Sequence, residues 1–146
     1  GIFKPGQLHV EEDEIFEEMM HTNLFSAYYL TKDILPKMIE AKQGTVINMC
    51  SIASIVAYPN GGGYSVSKFG LYGFSKSLRE EMKPFGIRVI SVLPGATYTA
   101  SWEGADVPEA RLMPADDIAE MVWTSTNLSA RSVVEDIVLR PQLGDL

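Results

Sequence analysis

The stretch from Gly44 to Leu93 most narrows the folds open to this chain. Thr45-Val-Ile-Asn-Met49 is a short apolar run without alternation, the pattern of a strand covered on both faces. Pro59-Asn60-Gly61-Gly62-Gly63 then reads as a loop that hands the chain to a helix predicted over 64–83. Pro84-Phe85-Gly86 stops that helix, and Ile87-Arg-Val-Ile-Ser-Val-Leu93 is a second buried-type strand. Strand, helix, strand at this spacing requires a right-handed crossover between parallel strands. The fold class is therefore α/β, with helices packed on a parallel sheet.

The flanks agree. Residues 11–41 read as one long helix, with apolar side chains at Ile15, Phe16, Met19, Leu24, Tyr28, Leu35, Met38 and Ile39 and a repeat of about 3.6 residues. Glu11-Glu12-Asp13-Glu14 place negative charge in its first turn, where the helix dipole favours it. Pro36 is expected to kink or restart it. Asn23 falls mid-helix on the apolar side, where a buried amide needs partners; His21 reads as solvent-facing. Segment 100–113, with Ser101, Trp102, Glu103, Gly104 and Pro108, is polar and irregular. Pro114, Asp116 and Asp117 open a last helix running to about Leu128, and a final strand spans 133–139.

A chain of 146 residues suits one domain. Its net charge of −7, with no basic cluster, argues against nucleic acid or an anionic membrane as partner. No apolar run reaches the roughly 18 residues of a membrane-spanning helix. Cys50 is the single cysteine, which precludes an intrachain disulfide and reads as a small core filler. The balance fits a cytoplasmic location, and no metal site is assigned.

Chemistry concentrates in Ser51-Ile-Ala-Ser-Ile-Val-Ala-Tyr-Pro-Asn-Gly-Gly-Gly-Tyr-Ser-Val-Ser-Lys68. Tyr64 and Lys68 are one helical turn apart on the same face. A phenol titrates near pH 10 (about), and an ammonium beside it favours the phenolate and brings the pKa toward neutrality. Ser51, delivered at the end of a strand, can hydrogen-bond a substrate oxygen at the same point. Together they form a proton-transfer site for an alcohol or a ketone. The spacing alone is weak, since Tyr28/Lys32 and Tyr72/Lys76 share it. Those two pairs lie inside helical patterns with no polar loop before them and read as surface or interface pairs.

The run from Val46 to Thr99 resembles the catalytic half of a compact, single-domain short-chain dehydrogenase/reductase. The markers are the Ser51–Tyr64–Lys68 spacing, the helical Asn in Thr22-Asn23-Leu24-Phe25, and Pro94-Gly95-Ala96-Thr97-Tyr98-Thr99 after a hydrophobic strand. The resemblance covers essentially the whole chain and implies a doubly wound, Rossmann-like parallel sheet, here its C-terminal part. Gly1-Ile-Phe-Lys-Pro-Gly6 resembles the residues that follow the family's Asn-Asn-Ala-Gly segment. The family's glycine-rich turn, which receives the pyrophosphate, is not in this sequence. The expectation is that 1–146 is the catalytic C-terminal portion of one such domain.

The resemblance further implies NAD or NADP as cofactor and a small carbonyl or alcohol as substrate. Tyr64 would be the acid/base, Lys68 would tune it and hold the nicotinamide ribose, and Ser51 would steady the substrate oxygen. Asn23 would hold a helix irregularity and a water that relays protons from Lys68. Pro94 and Gly95 would shape a turn in which the Thr97 backbone and the Thr99 hydroxyl grip the nicotinamide carboxamide. Segment 100–113 would be the substrate lid. Helices 11–41 and 64–83 would form a four-helix interface of a homodimer or homotetramer, with Phe69, Tyr72, Phe74 and Leu78 in contact. Gly70 and Gly73, costly inside a helix, suggest close approach by another backbone or helix. Two alternatives stay open: a non-catalytic assembly module that retains the motif, and a Tyr–Lys epimerase or dehydratase. The strand at 45–49 should lack a neighbour on its far side, which would make an isolated 1–146 chain poorly soluble or associated.

Overall fold

A computed structural model describes residues 1–102 and 104–146; Glu103, in the expected lid, lies outside the described residues. Three strands, β1 (Gly44–Met49), β2 (Ile87–Pro94) and β3 (Asp136–Leu139), form a parallel sheet in the order β1-β2-β3. Among the described residues four α-helices accompany it: α1 (Asp13–Met20), α2 (Ser26–Ala41), α3 (Gly62–Met82) and α4 (Ala115–Thr126). The central strand shows why these strands do not alternate. Ile90 and Val92 pack with Ile118 of α4 on one face of the sheet. Ile87 and Val89 pack with Leu78 and Met82 of α3, and with Leu35 and Met38 of α2, on the other. Helices cover both faces, so every residue of the strand favours apolar character. The doubly wound α/β class expected from the sequence is what the chain adopts.

β1 is different: Gly44–Ile47 are only half-buried, because its outer edge has no partner strand among the described residues. The final strand is shorter than the predicted 133–139 and starts at Asp136.

The predicted helix 11–41 is continuous from Asp13, but its hydrogen-bond pattern changes partway. His21–Phe25 is a π-helical turn between α1 and α2. Such single-turn bulges arise where one extra residue must fit into a helix, often to aim a side chain. Pro36 lies inside α2, which continues to Ala41 and ends at Lys42 in the left-handed region. Glu11 does not join the first turn; its carboxylate is used elsewhere, as described below.

α3 is pinned to the sheet by a buried arginine. Arg79 donates from Nε to the Val89 carbonyl (3.0 Å) and from Nη2 to Ser91 Oγ (3.2 Å), to Asp136 Oδ1 (2.9 Å) and to the Glu135 carbonyl. Tyr72 donates its phenol proton to the other Asp136 oxygen at 2.9 Å. Leu78 is core, and Phe74 and Tyr72 pack against core clusters, so of the four expected interface residues only Phe69 is exposed. The reason is register: Leu78 lies on the α3 face turned toward the sheet. Gly70 fits the expected close approach, since a Cβ there would lie 2.9 Å from Leu24 Cδ2, whereas one at Gly73 would meet nothing within 4 Å among the described residues.

Candidate active site

Parallel strands put their carboxyl ends on one side, and the candidate residues gather there. Met49, the last residue of β1, is in register with Val92, and Ser51 follows two residues on, past the strand end. Ser51 leaves β1 in extended conformation and caps a short 3-10 turn, Ile52–Ser54. Its Oγ accepts from the Ala53 amide (3.1 Å), while Ser54 Oγ accepts from the Ser51 amide (3.2 Å). This capping box fixes the Ser51 hydroxyl and leaves its proton available to donate.

Tyr64 sits in the first turn of α3, with Phe3 packed edge-on against its ring at 4.9 Å. Burial pushes the Tyr64 phenol above its ordinary pKa, and the nearby Ser51 side chain pulls partly the other way. Ser51 and Tyr64 are thus brought together. The expectation that Lys68 brings the phenol down is corrected here. Lys68 Nζ lies 5.7 Å from the centre of the Tyr64 ring, over its face, and donates to the Met49 carbonyl at 2.9 Å. The Lys68 ammonium does not offset the cost of burying a phenolate here. Lys68 is itself buried, and burial lowers its pKa, with Cys50 acting weakly in the opposite sense.

Asn23 occupies the π-helical turn and is buried, so the irregularity implied by the resemblance is present. Its Oδ1 accepts from the Ile2 amide (2.7 Å), and its Nδ2 donates to the Ile2 carbonyl (2.9 Å) and to Ser67 Oγ (3.0 Å). Ser67 Oγ in turn donates to the Tyr64 carbonyl at 2.7 Å. The amide therefore ties the Gly1–Ile2 segment to the helix that carries Tyr64 and Lys68. Gly1 is closely fitted: a Cβ there would come 2.6 Å from Asn23 Oδ1 and 3.3 Å from Lys68 Nζ.

The turn after β2 is braced on both sides. The Gly95 amide donates to the Leu139 carbonyl at 2.8 Å, and Thr97 Oγ1 donates to the Gly95 carbonyl at 3.0 Å. Met113 pairs with Thr97 as an isolated bridge, through Met113 N–H to the Ala96 carbonyl (3.0 Å) and Tyr98 N–H to the Met113 carbonyl (2.8 Å). That pattern uses the groups flanking Thr97. Its own amide and carbonyl have no partner among the described residues, as a polar ligand in this turn would require. Thr99 Oγ1 shares a hydrogen bond with Ser101 Oγ (2.7 Å).

The other expectations resolve simply. His21 is exposed and packs edge-on against Phe25. Cys50 is buried in the core, with burial raising its thiol pKa. Two residues near the site escaped the sequence reading. Tyr58 stands close enough that burial and the neighbouring Tyr64 raise its phenol pKa. Glu11 accepts from the Gly63 amide through both carboxylate oxygens; no local pattern announces a contact 52 positions away. A cavity of about 410 Å³ runs between α2 and the outer edge of β1, with Asn23 and Lys68 among its lining residues but neither Ser51 nor Tyr64.

Residues 1–109 match the family described as short chain dehydrogenase. The sepiapterin reductase of Chlorobaculum tepidum is 33% identical over 147 aligned positions, which take in 100% of this chain and 60% of that protein. Among solved structures, serine dehydrogenase from Escherichia coli superposes with a TM-score of 0.87 at 25% identity, covering 100% of this chain and 62% of that one. A metagenomic short-chain oxidoreductase in complex with NADP superposes with a TM-score of 0.79 at 28% identity, covering 97% and 59%. The chain thus spans about 60% of the length of these relatives. With the fold, the Ser51–Tyr64 pairing and the family match in agreement, this chain belongs to the short-chain dehydrogenase family.

Proposed function

We propose that this chain supplies the acid–base part of an NAD(P)-dependent oxidoreductase that interconverts a ketone and a secondary alcohol. Residues 1–146 are then the catalytic portion of a single Rossmann-like domain. The observation that carries the reading is the meeting of Ser51 and Tyr64 just past the end of β1, beside a turn after β2 whose Thr97 backbone groups lack partners among the described residues.

Tyr64 gives its phenol proton to a carbonyl oxygen or takes one from an alcohol. Because burial raises its pKa, the phenol is protonated across the physiological range, which is the form that reduction needs. Ser51 holds the substrate oxygen with its free proton. Lys68 would hold the ribose hydroxyls of the cofactor and bring its charge to bear on the phenol, its Nζ lying 5.7 Å from the centre of the Tyr64 ring. Asn23 fixes the turn from which protons are relayed. The Thr97 amide and carbonyl, with Thr99, are suited to a carboxamide, which has one acceptor and one donor group. A nicotinamide, bound there, supplies the hydride donor or acceptor. NADP in the metagenomic relative supports that cofactor class. The substrate is a small carbonyl compound or alcohol, and the location is cytoplasmic.

Tyr64→Phe in the complete gene product tests the reading. Turnover of NADH or NADPH with a panel of ketones should fall about 100-fold to 10,000-fold. Cofactor binding, followed by quenching of tryptophan fluorescence, should stay within about twofold. Unchanged turnover rules Tyr64 out as the acid.

A further inference from the structure

α3 begins without the usual means of satisfying its first amides. Gly61 precedes it with no side-chain cap, and no acidic residue lies in its first turn. The acceptor comes instead from a distant segment: Glu11 Oε2 and Oε1 take the Gly63 amide proton at 3.0 and 3.3 Å. The loop is shaped around this carboxylate. A Cβ at Gly62 would lie 2.7 Å from Glu11 Oε1 and 2.7 Å from the Gly6 carbonyl oxygen, and its φ of +39° disfavours other residues. One at Gly63 would lie 2.8 Å from Glu11 Oε2, 2.8 Å from Phe16 and 2.9 Å from Met19. Gly6 closes the other side, its amide donating to the Asn60 carbonyl at 3.1 Å. The run Gly61-Gly62-Gly63 thus lets a carboxylate touch backbone that any side chain would shield. Tyr64 is the next residue.

We infer that Glu11 is a positioning residue for the Tyr64 site: by capping α3 and clamping the loop before it, its carboxylate sets where the phenol points. The inference rests on Tyr64 acting as the acid. Glu11 touches no reacting atom; it works through the Gly63 amide and the backbone that aims the phenol. A displacement of about 1 Å at a reacting group is enough to cost up to about 100-fold in rate.

The test uses the complete gene product with Glu11→Ala, Glu11→Gln and, as a control on an exposed carboxylate, Glu17→Ala. Amide hydrogen exchange at Gly63 should rise about fivefold in Glu11→Ala, as for loss of a helix cap. At a temperature well below its melting point, kcat should fall about tenfold, with KM for the cofactor within about twofold. Glu11→Gln keeps an acceptor oxygen and should recover at least about half of both losses, a rescue that bulk destabilisation would not give. Glu11→Asp, one methylene shorter, should change both readouts with the same signs and is decisive if the alanine variant does not fold. Exchange and kcat matching those of Glu17→Ala would overturn the inference, as would raised exchange with kcat unchanged. Exchange is read without turnover, so unchanged turnover in Tyr64→Phe would refute Tyr64 as the acid separately from the role of Glu11.

Discussion

Replacing Asn23 with alanine removes a side chain with three partners: the Ile2 amide, the Ile2 carbonyl and Ser67 Oγ. Each such hydrogen bond contributes about 1 kcal/mol net, and a buried group left without a partner costs about 1–3 kcal/mol. Ile2 is only half-buried, so water reaches part of what is exposed, and Ser67 keeps its own donation to the Tyr64 carbonyl. The three bonds together place the loss at about 2–3 kcal/mol. With a urea m-value of about 2 kcal/mol/M, the unfolding midpoint should fall by about 1–1.5 M. Ser67→Ala removes one of the same bonds, so the double variant should be less destabilised than the sum of the singles by about 1 kcal/mol. Equilibrium urea unfolding of the four proteins measures both numbers. A loss below about 1 kcal/mol for Asn23→Ala, or no coupling to Ser67, would refute the idea that this amide joins the N-terminal segment to α3.

Other outcomes follow from the same coordinates. Burial pushes the Asp136 pKa up, but hydrogen bonds from Arg79 and Tyr72 and the Arg79 charge outweigh it and hold the carboxyl below its ordinary value. A folded-state pKa below the unfolded one stabilises above the unfolded value of about 3.9 and is lost as pH falls through the folded one. The stability gap between wild type and Asp136→Asn should therefore be full at neutral pH and shrink in strong acid, as read by denaturant melts at several pH values. Gly73→Ala should raise stability by about 0.5–1 kcal/mol, because the Cβ meets nothing within 4 Å among the described residues and alanine is the better helix former. A loss instead would reveal a neighbour packed on that face. Gly62→Ala should destabilise by at least about 1 kcal/mol, given its positive φ and the Gly6 backbone beside it.

Much of this protein was legible in one dimension. β1, α3 and β2 each carry an unbroken local pattern, and parallel strands must be joined by a crossover, so the strand–helix–strand core follows from periodicity and chain geometry alone. The positions of Tyr64 and Thr97 follow equally, because the boundaries beside them are marked by glycine and proline, and Ser51 follows from where the apolar run of β1 stops. Tertiary structure decided how charge and hydrogen bonds are spent. The spacing of Tyr64 and Lys68 promises an ammonium beside a phenol, yet whether Nζ reaches the oxygen or the Met49 carbonyl depends on how deep both side chains lie. Leu78 looked like an interface residue until the rotation of α3 against the sheet turned it inward. Glu11 reads as one more acid at the head of a helix; only folding carries it to the start of another. Burial and long-range contact set pKa values and partners, and neither is encoded in spacing along the chain.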